Sequence, residues 1–286
     1  MKFTKMHGLG NNYIFVNLLE TTLEEHRLPE IARNVSDVNF GIGSDGMILI
    51  CPSDKADFRM RIFNADGSEG KNCGNGLRCV AKYVYDHGYA KSKQFTIETW
   101  DRIVQLEVLP ESEQSGSAVR QVMVDMGKPG LLKGDLPMLG DPSSTTVNET
   151  FHIDGQPFSF TCASMGNPHA ILFVDDVHDF PLEEWGPKIE HAELFPERVN
   201  FGIVHVKNGR EIDYRVWERG SGITMACGTG ACAAVVAATL NQLLDRDQPI
   251  TVHLPGGDLK IHWDRNGHVW KQGPAAYICS GEYIIE

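Results

Sequence analysis

Hydrophobic and polar residues alternate along several short stretches of the chain, a pattern typical of half-buried β-strands. Phe58–Phe63 and Glu211–Trp217 show it clearly, and a glycine-rich turn follows each of them. After the first turn, apolar residues at helical spacing predict a helix over Gly76–His87. After the second turn, the Ala- and Val-rich segment Ala231–Leu244 predicts a deeply buried helix. Further strands are predicted at Gln94–Thr99, Ile103–Leu109, Val119–Asp125, Pro157–Ala163, Thr251–His253, Leu259–Trp263 and Tyr277–Ile284.

An internal repeat is the most informative pattern in the chain, because four matches follow one another in the same order. The first member of each pair lies in the N-terminal part, and the second in the C-terminal part. The pairs are Gly10-Asn11 with Gly166-Asn167, Val38–Ile42 with Val199–Ile203, Arg61–Asn64 with Arg215–Glu218, and Cys73–Gly76 with Cys227–Gly230. The number of residues between the two members of each pair is the length of a domain and is too large for the period of a solenoid repeat.

The repeat predicts two similar α+β domains, each a mostly antiparallel sheet around a central helix, related by a pseudo-twofold axis. We expect the halves at residues 1–118 and 119–274, and the last strand, 275–286, is able to return to the first half. The polar segment Pro110–Ala118 is a domain linker or a hairpin tip. Gly127–Thr146, rich in Gly and Pro, is expected to be an irregular surface excursion.

Charge and composition exclude several classes of protein. The net charge of −12 argues against non-specific nucleic-acid binding, which needs Lys and Arg to neutralise phosphates. No apolar run approaches the length of a membrane span, and Met1–Asn17 lacks the apolar core of a signal peptide. Seven cysteines, an odd number, favour reduced thiols. We therefore expect a cytoplasmic protein with neither nucleic-acid nor membrane partners.

Candidate chemistry lies in Cys73 and Cys227, each placed directly before a glycine-rich helix start. Free backbone N–H groups and the positive end of a helix dipole lower the pKa of a thiol there. The same N–H groups are able to hold a substrate carboxylate. If the halves pack about a twofold axis, the two thiols face one another across a cleft. One would then remove a proton from a carbon and the other return it on the opposite face.

The cysteines and glycines also have other interpretations. A free cysteine is usually a small buried hydrophobe, which suits Cys51, Cys79, Cys162, Cys232 and Cys279. Structural zinc is disfavoured by the cysteine spacings and by the lack of flanking histidine pairs. Gly41–Gly46 matches a dinucleotide fingerprint, but it leads into a strand rather than a helix, so it is interpreted as a turn.

Polar residues beside the repeat motifs are candidates for substrate binding. Asn11, Asn64, Asn167 and Asn200 each adjoin a motif, although asparagine is common in turns for backbone reasons alone. Arg219 suits a carboxylate and Glu218 an ammonium, whereas a surface ion pair is the ordinary alternative. His169 lies in a repeat position of the second half.

At these residues the chain resembles the diaminopimelate epimerase family over essentially its whole length. The resemblance rests on segments that are in family order and spacing. They are Met6–Asn11, Asn64–Glu69, Asn72–Arg78, Ser164–His169, Pro196–Asn200, Trp217–Gly220 and Ala226–Gly230. Two features depart from the family pattern: Asn12-Tyr13 stands where many members have Asp-Phe, and Ser44 where many have Gln.

The resemblance implies two similar domains with the active site between them, and interconversion of LL- and meso-diaminopimelate without pyridoxal phosphate or metal. It implies that Cys73 and Cys227 are the acid and base, that His169 and Glu218 tune the site, and that the protein is a homodimer. The substrate-binding residues that it implies are Asn11, Ser44, Asn64, Gly74, Asn75, Asn167, Asn200, Glu218, Arg219, Gly228 and Thr229.

Two alternative functions stay open at this point. The first is a related two-cysteine racemase acting on proline or hydroxyproline, but those enzymes usually have His where Asn75 stands. The second is an amino-acid-binding protein without catalysis, for which a thiol at both helix starts would be unnecessary.

Overall fold

The computed structural model describes residues 1–70, 74–110 and 119–285. The chain divides into two compact units, one formed by Met1–Asp125 with Gln272–Glu286 and the other by Met126–Lys271. The domain limits inferred above, 1–118 and 119–274, stay a prediction about the two halves. The segment predicted as a linker or hairpin tip falls almost wholly outside the described residues.

The described ranges contain α-helices, short 3₁₀ turns and many strands. The helices are α1 (Leu28–Ser36), α2 (Gly74–Asp86), α3 (Leu182–Glu190) and α4 (Gly228–Leu240). The strands are β1 (Lys2–Gly8), β2 (Asn11–Asn17), β3 (Gly46–Cys51), β4 (Phe58–Asn64), β5 (Glu69–Gly70), β6 (Gln94–Glu98), β7 (Ile103–Pro110), β8 (Val119–Asp125), β9 (Glu149–Ile153), β10 (Gln156–Ser164), β11 (Pro168–Phe173), β12 (Asn200–Asn208), β13 (Glu211–Glu218), β14 (Gly222–Ile223), β15 (Pro249–Leu254), β16 (Gly257–Trp263), β17 (Val269–Pro274) and β18 (Ala276–Glu282).

The first unit is a sheet packed around α2. Its strand order is β18–β1–β2–β3–β4–β6–β7–β8, and only the pairs β2–β3 and β4–β6 are parallel. Nearly every residue of α2 from Asn75 to Val84 is buried, and the helix contacts strands at both ends of this order. On α1, Leu28, Ile31, Ala32 and Val35 are buried and form one face against the sheet.

The second unit repeats this arrangement around α4. Its strand order is β9–β10–β11–β12–β13–β15–β16, and only β11–β12 and β13–β15 are parallel. The residues of α4 from Gly230 to Ala238 are all buried. A helix that is apolar on every side is stable only in a core, and its small side chains allow strands to approach closely.

The two units share one topology, which confirms the predicted fold class of two similar α+β halves. In each, an antiparallel pair is followed by a parallel, an antiparallel, a parallel and an antiparallel pair, from β1 to β7 and from β10 to β16. A two-residue strand then precedes the central helix in both units, β5 before α2 and β14 before α4.

One of the four sequence matches does not correspond to equivalent structure, so the prediction drawn from it is wrong. Val38–Ile42 forms a turn in which Phe40 is 91% exposed, whereas the same five residues at Val199–Ile203 enter β12 with Phe201 fully buried. In the first segment, Asp37 Oδ1 accepts the N–H groups of the next turn residues. In the second, β11 and β13 pair with the segment on both sides. Tertiary context, rather than the shared local sequence, decides the structure.

Some predicted boundaries also move. Both central helices begin before the predicted residue, at Gly74 and Gly228, because the glycines form the first turn. The segment Gly127–Thr146 is irregular as predicted, but it is not wholly on the surface. Leu136 and Met138 lie in the core of the second unit. No helix in the described part of the chain combines the length and apolar character needed to cross a membrane.

Candidate functional site

Cys227 lies at the start of α4 and is 4% exposed. Its backbone is extended, and its carbonyl accepts the first helical N–H, from Ala231, at 2.9 Å. The N–H groups of the first helical turn have no carbonyl further back in the helix to bind, so they are directed outward. This backbone therefore forms a cradle for an anion directly after the thiol.

A hydrogen-bonded series connects Cys227 to the turn before β11. Cys227 Sγ lies 3.5 Å from Thr229 Oγ1. Thr229 Oγ1 lies 3.1 Å from His169 Nε2, which lies 3.1 Å from Asn167 Oδ1. The structure thus brings four of the predicted site residues into one network within the second unit.

The surroundings of His169 fix the direction of this series. Its Nδ1 is buried and has no partner among the described residues. A proton on Nδ1 would be a buried unpaired donor, so the tautomer with the proton on Nε2 is favoured. Nε2–H then donates toward Asn167 and Thr229, and the Thr229 hydroxyl is left to donate to the Cys227 sulfur.

The protonation states of Cys227 and His169 are set mainly by burial. Burial raises the pKa of Cys227 to about 12, with a further contribution from the charge of Glu218. The Thr229 hydroxyl and the Gly230 amide act in the opposite direction. Burial also lowers the pKa of His169 to about 3, as does the charge of Arg219, so the imidazole is neutral. The prediction that the helix start lowers the pKa of Cys227 is wrong for the protein without substrate, because desolvation outweighs the effect of the helix-start amides.

Glu218 ends β13 close to this network, and Arg219 follows it. Asn200 Oδ1 accepts the Arg219 backbone N–H at 3.0 Å, while Asn200 Nδ2 donates to Pro168 O at 2.8 Å. The Arg219 guanidinium is exposed and donates one bond to Glu197 O at 2.9 Å. The Glu218 carboxylate accepts the hydroxyl of Thr224. Asn200 is buried and holds the end of β13, a contact that its sequence setting does not reveal.

Glu190 is a residue of this region that sequence reasoning missed. It is 3% exposed at the end of α3. Its carboxylate accepts the Gly220 N–H at 2.9 Å and the Trp217 Nε1–H at 2.7 Å. These two contacts flank Glu218 and Arg219, so Glu190 fixes both sides of the pair. The signal in the sequence is helical spacing: Gly186 and Glu190 are four residues apart and share the buried face of α3.

A second polar cluster lies in the first unit, where β2 and α2 begin. Asn11 Nδ2 donates to Asp45 Oδ2 at 2.9 Å, and Asn75 Nδ2 donates to Asn11 Oδ1 at 3.4 Å. The Asn12 N–H also donates to Asp45, at 2.7 Å. Asn75 Oδ1 is buried and has no partner in the described part of the chain. Asp45 was not among the residues predicted, although it links the cluster.

The remaining predicted residues of the first unit have local partners or lie outside the described ranges. Ser44 Oγ donates to Gly46 O at 2.9 Å, which commits the hydroxyl to its own loop. Asn64 Nδ2 donates to Ser68 Oγ at 3.0 Å, and Asn64 lies opposite Gly46 in the sheet. Gly74 begins α2. Cys73 lies outside the described residues.

Metal ligands are the next requirement that the side chains of the site could meet. Within the described ranges, no three His, Cys, Asp or Glu side chains are grouped so that they would share one metal ion. The expectation that the protein needs neither a metal nor an organic cofactor stays a prediction.

Comparison with known proteins agrees with these features. The sequence profile of the diaminopimelate epimerase family matches residues 3–132 and 161–278. The diaminopimelate epimerase of Bacillus mycoides (strain KBAB4) is 54% identical over 286 residues, which cover 99% of this chain and 98% of the relative. That of Bacillus velezensis (strain DSM 23117 / BGSC 10A6 / LMG 26770 / FZB42) is 56% identical over 284 residues, 99% of each chain.

Among solved structures, a PhzF-family phenazine biosynthesis protein from Bacillus anthracis has the same fold. It is 16% identical, with a TM-score of 0.71 over 100% of this chain and 99% of the other. At that identity the similarity concerns the fold alone, whereas the full-length sequence matches concern the family. The chain belongs to the diaminopimelate epimerase family.

Proposed function

We propose that this protein interconverts LL- and meso-diaminopimelate in the cytoplasm, in the synthesis of lysine and cell-wall precursors. One of Cys73 and Cys227 removes the α-proton, and the other delivers its own proton to the opposite face of the α-carbon. The observation that carries the proposal is the buried Cys227 thiol, which lies at the first turn of α4 and contacts Thr229. The names of the two relatives, 54% and 56% identical over almost the whole chain, support the choice of substrate.

In one direction of the reaction, Cys227 is the acid and Cys73 is the base. Its raised pKa keeps it protonated near neutral pH. The Cys73 thiolate breaks the α C–H bond and becomes a thiol, while the electron pair stays on the α-carbon. The Cys227 S–H bond then breaks, and its proton forms a new C–H bond on the opposite face. The configuration is inverted, and the two sulfurs have exchanged protonation states.

In the reverse direction, Cys227 must start as a thiolate, so substrate binding has to lower its pKa. Glu218 opposes ionisation of Cys227 through charge repulsion. A substrate ammonium paired with Glu218 would cancel that repulsion and bring a positive charge close to the sulfur. Thr229 would stabilise the thiolate by donating its hydroxyl hydrogen. Glu218 thus has a role in both binding and acid–base tuning.

The helix starts bind the carboxylate of the reacting centre. Negative charge spreads from the α-carbon onto that carboxylate as the proton leaves, and the N–H groups of Gly228 and Thr229 stabilise it. Gly74 and Asn75 supply the corresponding amides at the start of α2. The exposed guanidinium of Arg219 suits the carboxylate at the far end of the substrate. Polar side chains complete the proposed binding set: Asn11, Ser44, Asn64, Asn167 and Asn200.

We further propose a homodimer formed through β18. Tyr277 and Ile278 are 40% and 50% exposed on this strand, and they line a groove with His87 of the first unit. Exposed apolar side chains beside an open groove are typical of an interface. Ile278→Asp should shift the mass in sedimentation equilibrium from dimer to monomer, and a wild-type protein that is monomeric would contradict the proposal.

The reaction is tested by incubating the protein with LL-diaminopimelate in deuterated water and following the α-position by NMR. The inverted product should carry solvent deuterium at the new centre. Recovered substrate should carry much less early in the reaction, because the returning proton comes from the opposite thiol. Cys227→Ala and Cys73→Ala should each abolish inversion. Either variant epimerising at a rate near wild type would contradict the two-cysteine mechanism.

Alternative substrates distinguish this function from that of a proline or hydroxyproline racemase and from that of a binding protein. Incubation with L-proline and with trans-4-hydroxy-L-proline should give no α-exchange. Binding of diaminopimelate without any exchange would instead indicate a binding protein.

A further inference from the structure

Tyr214 of β13 reaches from the sheet to the first turn of α4. It is 1% exposed. A Cβ atom on Gly202 of β12 would lie 2.6 Å from the Tyr214 ring, and one on Gly230 of α4 would lie 2.1 Å from the Tyr214 hydroxyl. Neither contact is possible for a larger residue, so two glycines leave the space that the tyrosine fills. The ring is therefore held with its hydroxyl against the helix start.

The Tyr214 hydroxyl has no hydrogen-bond partner among the described residues. A buried hydroxyl without a partner is destabilising, so its presence calls for an explanation. A phenylalanine would fill the same space without that cost. We therefore expect the hydroxyl to lie beside a group whose ability to accept a hydrogen bond changes during the reaction.

Cys227 is the group that meets this requirement. The position of a Cβ atom on Gly230 would lie 3.2 Å from Cys227 Sγ as well as 2.1 Å from the Tyr214 hydroxyl, so both atoms border the same point of the first turn. A neutral thiol is a weak acceptor, whereas a thiolate is a strong one. While Cys227 is protonated, the Tyr214 hydroxyl therefore has only a weak acceptor beside it. After Cys227 ionises, the thiolate is a strong acceptor for the same hydroxyl.

We propose that Tyr214 is a positioning residue that donates a hydrogen bond to the thiolate form of Cys227. Thr229 and the Gly230 amide are donors toward the same sulfur, and Tyr214 supplies another from beneath the helix. A buried anion needs several donors to be stable in a low dielectric. The inference rests on the proposed function, in which Cys227 must ionise in one direction of the reaction.

Charged and titratable groups near the helix start, the Cys227 sulfur and the Tyr214 hydroxyl lie on three strands and on α4 itself. Glu218 opposes the thiolate through its charge, and His169 is neutral. The Lys271 amine of β17 lies beneath the helix start, where a Cβ atom on Gly228 would be 2.6 Å from its Nζ. The Tyr214 hydroxyl is uncharged, unlike Glu218, and it borders the same point of the first turn as the Cys227 sulfur. The groups are Glu218 and Tyr214 on β13, His169 on β11, Lys271 on β17, and Cys232 on α4.

Tyr214→Phe removes the hydroxyl and keeps the ring. The rate of alkylation of Cys227 by iodoacetamide is measured on the full chain without substrate, between pH 7 and 9, with the modified cysteine located by peptide mass spectrometry. Because the thiolate is the reactive form, we expect alkylation in the variant to be about tenfold slower at each pH. Tyr85→Phe, on α2 of the first unit, is the matched control and should react as wild type does.

Kinetics and stability give independent readings. With diaminopimelate, Tyr214→Phe should lower kcat about tenfold and move the rising limb of its pH profile to higher pH, with KM almost unchanged. The midpoint of thermal unfolding should stay the same or rise, which distinguishes this role from a structural one. Equal rates of Cys227 alkylation in wild type and Tyr214→Phe would overturn the inference. Slower alkylation of the variant in a protein that fails to epimerise diaminopimelate would uphold it while the proposed function fails.

Discussion

His169 and Thr229 share a hydrogen bond of 3.1 Å across 60 residues of sequence, and this bond ties β11 to the first turn of α4. Since burial lowers the pKa of the imidazole to about 3, the ring is a weak base and takes up no further proton near neutral pH. Its effect on Cys227 passes through the Thr229 hydroxyl. In the proposed reaction, His169 therefore positions the Thr229 hydroxyl and does not itself transfer a proton.

Thr229→Val should lower kcat/KM about fivefold to tenfold, because the isosteric side chain lacks the hydroxyl that donates to Cys227. Thr229→Ser keeps that hydroxyl and should retain most of the activity. The control is Thr239→Val on the same helix, where the hydroxyl donates to Val235 O at 2.8 Å, away from the thiol. Steady-state kinetics with LL-diaminopimelate measure all three, and wild-type kinetics for Thr229→Val would remove the hydroxyl from the mechanism.

The buried neutral His169 should make the protein less stable in acid. The pKa of His169 is lowered to about 3 in the folded protein, against about 6.5 for an unperturbed histidine. Between these values the unfolded state binds a proton that the folded state does not. The free energy of unfolding therefore decreases as pH falls through this window, by up to about 1.4 kcal/mol per pH unit from this group.

Urea unfolding at pH 7, 6, 5 and 4 measures this effect. His169→Gln cannot titrate, so its stability should depend less steeply on pH than that of wild type. His152→Gln changes an exposed histidine of β9 and should keep the wild-type slope. Equal slopes for wild type and His169→Gln would mean that His169 is protonated equally in both states.

Glu190→Gln should raise KM for diaminopimelate about tenfold while changing kcat much less. A carboxamide nitrogen cannot accept, so one of the bonds to Trp217 and Gly220 is lost and the end of β13 that carries Arg219 is less well fixed. Glu183→Gln, exposed on the same helix, is the control and should behave as wild type.

A double-mutant cycle distinguishes positioning of Arg219 from a general loss of structure. If Glu190 acts through Arg219, the Glu190→Gln/Arg219→Lys protein should be hardly worse than Arg219→Lys alone. Fully additive losses in kcat/KM would show that the two residues act independently.

Gly230→Ala should destabilise the protein by about 1–3 kcal/mol, because the added methyl group would lie against the Tyr214 hydroxyl and the Cys227 sulfur. Thermal unfolding should show a lower Tm. Gly209→Ala, where a Cβ atom meets nothing within 4 Å, is the control. Adding Tyr214→Phe to Gly230→Ala should restore part of the loss, since the closest atom is then absent. No recovery would mean that the clash lies elsewhere.

The fold could be predicted from the sequence to a large extent, because alternating patterns and the duplicated Cys-Gly-x-Gly setting both reflect local physical requirements. The strand Val119–Asp125 has its predicted bounds, and both central helices lie close to theirs. The sequence match between Val38–Ile42 and Val199–Ile203 does not correspond to a shared structure, although the other three matches do in the described residues. A short sequence match carries no information on whether neighbouring strands will pair with it.

The candidate site was less predictable where it depends on three-dimensional neighbours. Asn200 and Glu190 hold the end of β13 through contacts made across 19 and 30 residues. The raised pKa of Cys227 was not predictable, because helix-start amides are visible in the sequence whereas the extent of desolvation is not. The buried hydroxyl of Tyr214 likewise becomes apparent only when Gly202 and Gly230 lie on either side of it.

The pairing of β1 with β18 has a consequence for how the chain matures on the ribosome. The Met1 ammonium donates to Tyr283 O at 2.7 Å across 282 residues. Synthesis runs from the N-terminus, so β1 lacks its β18 partner until residues Ala276–Glu282 have emerged. Met126–Lys271 is continuous and meets no such delay. The second unit is therefore expected to fold first, leaving one edge of β1 open to chaperones, or to β1 of another nascent chain, until β18 has emerged and paired with it.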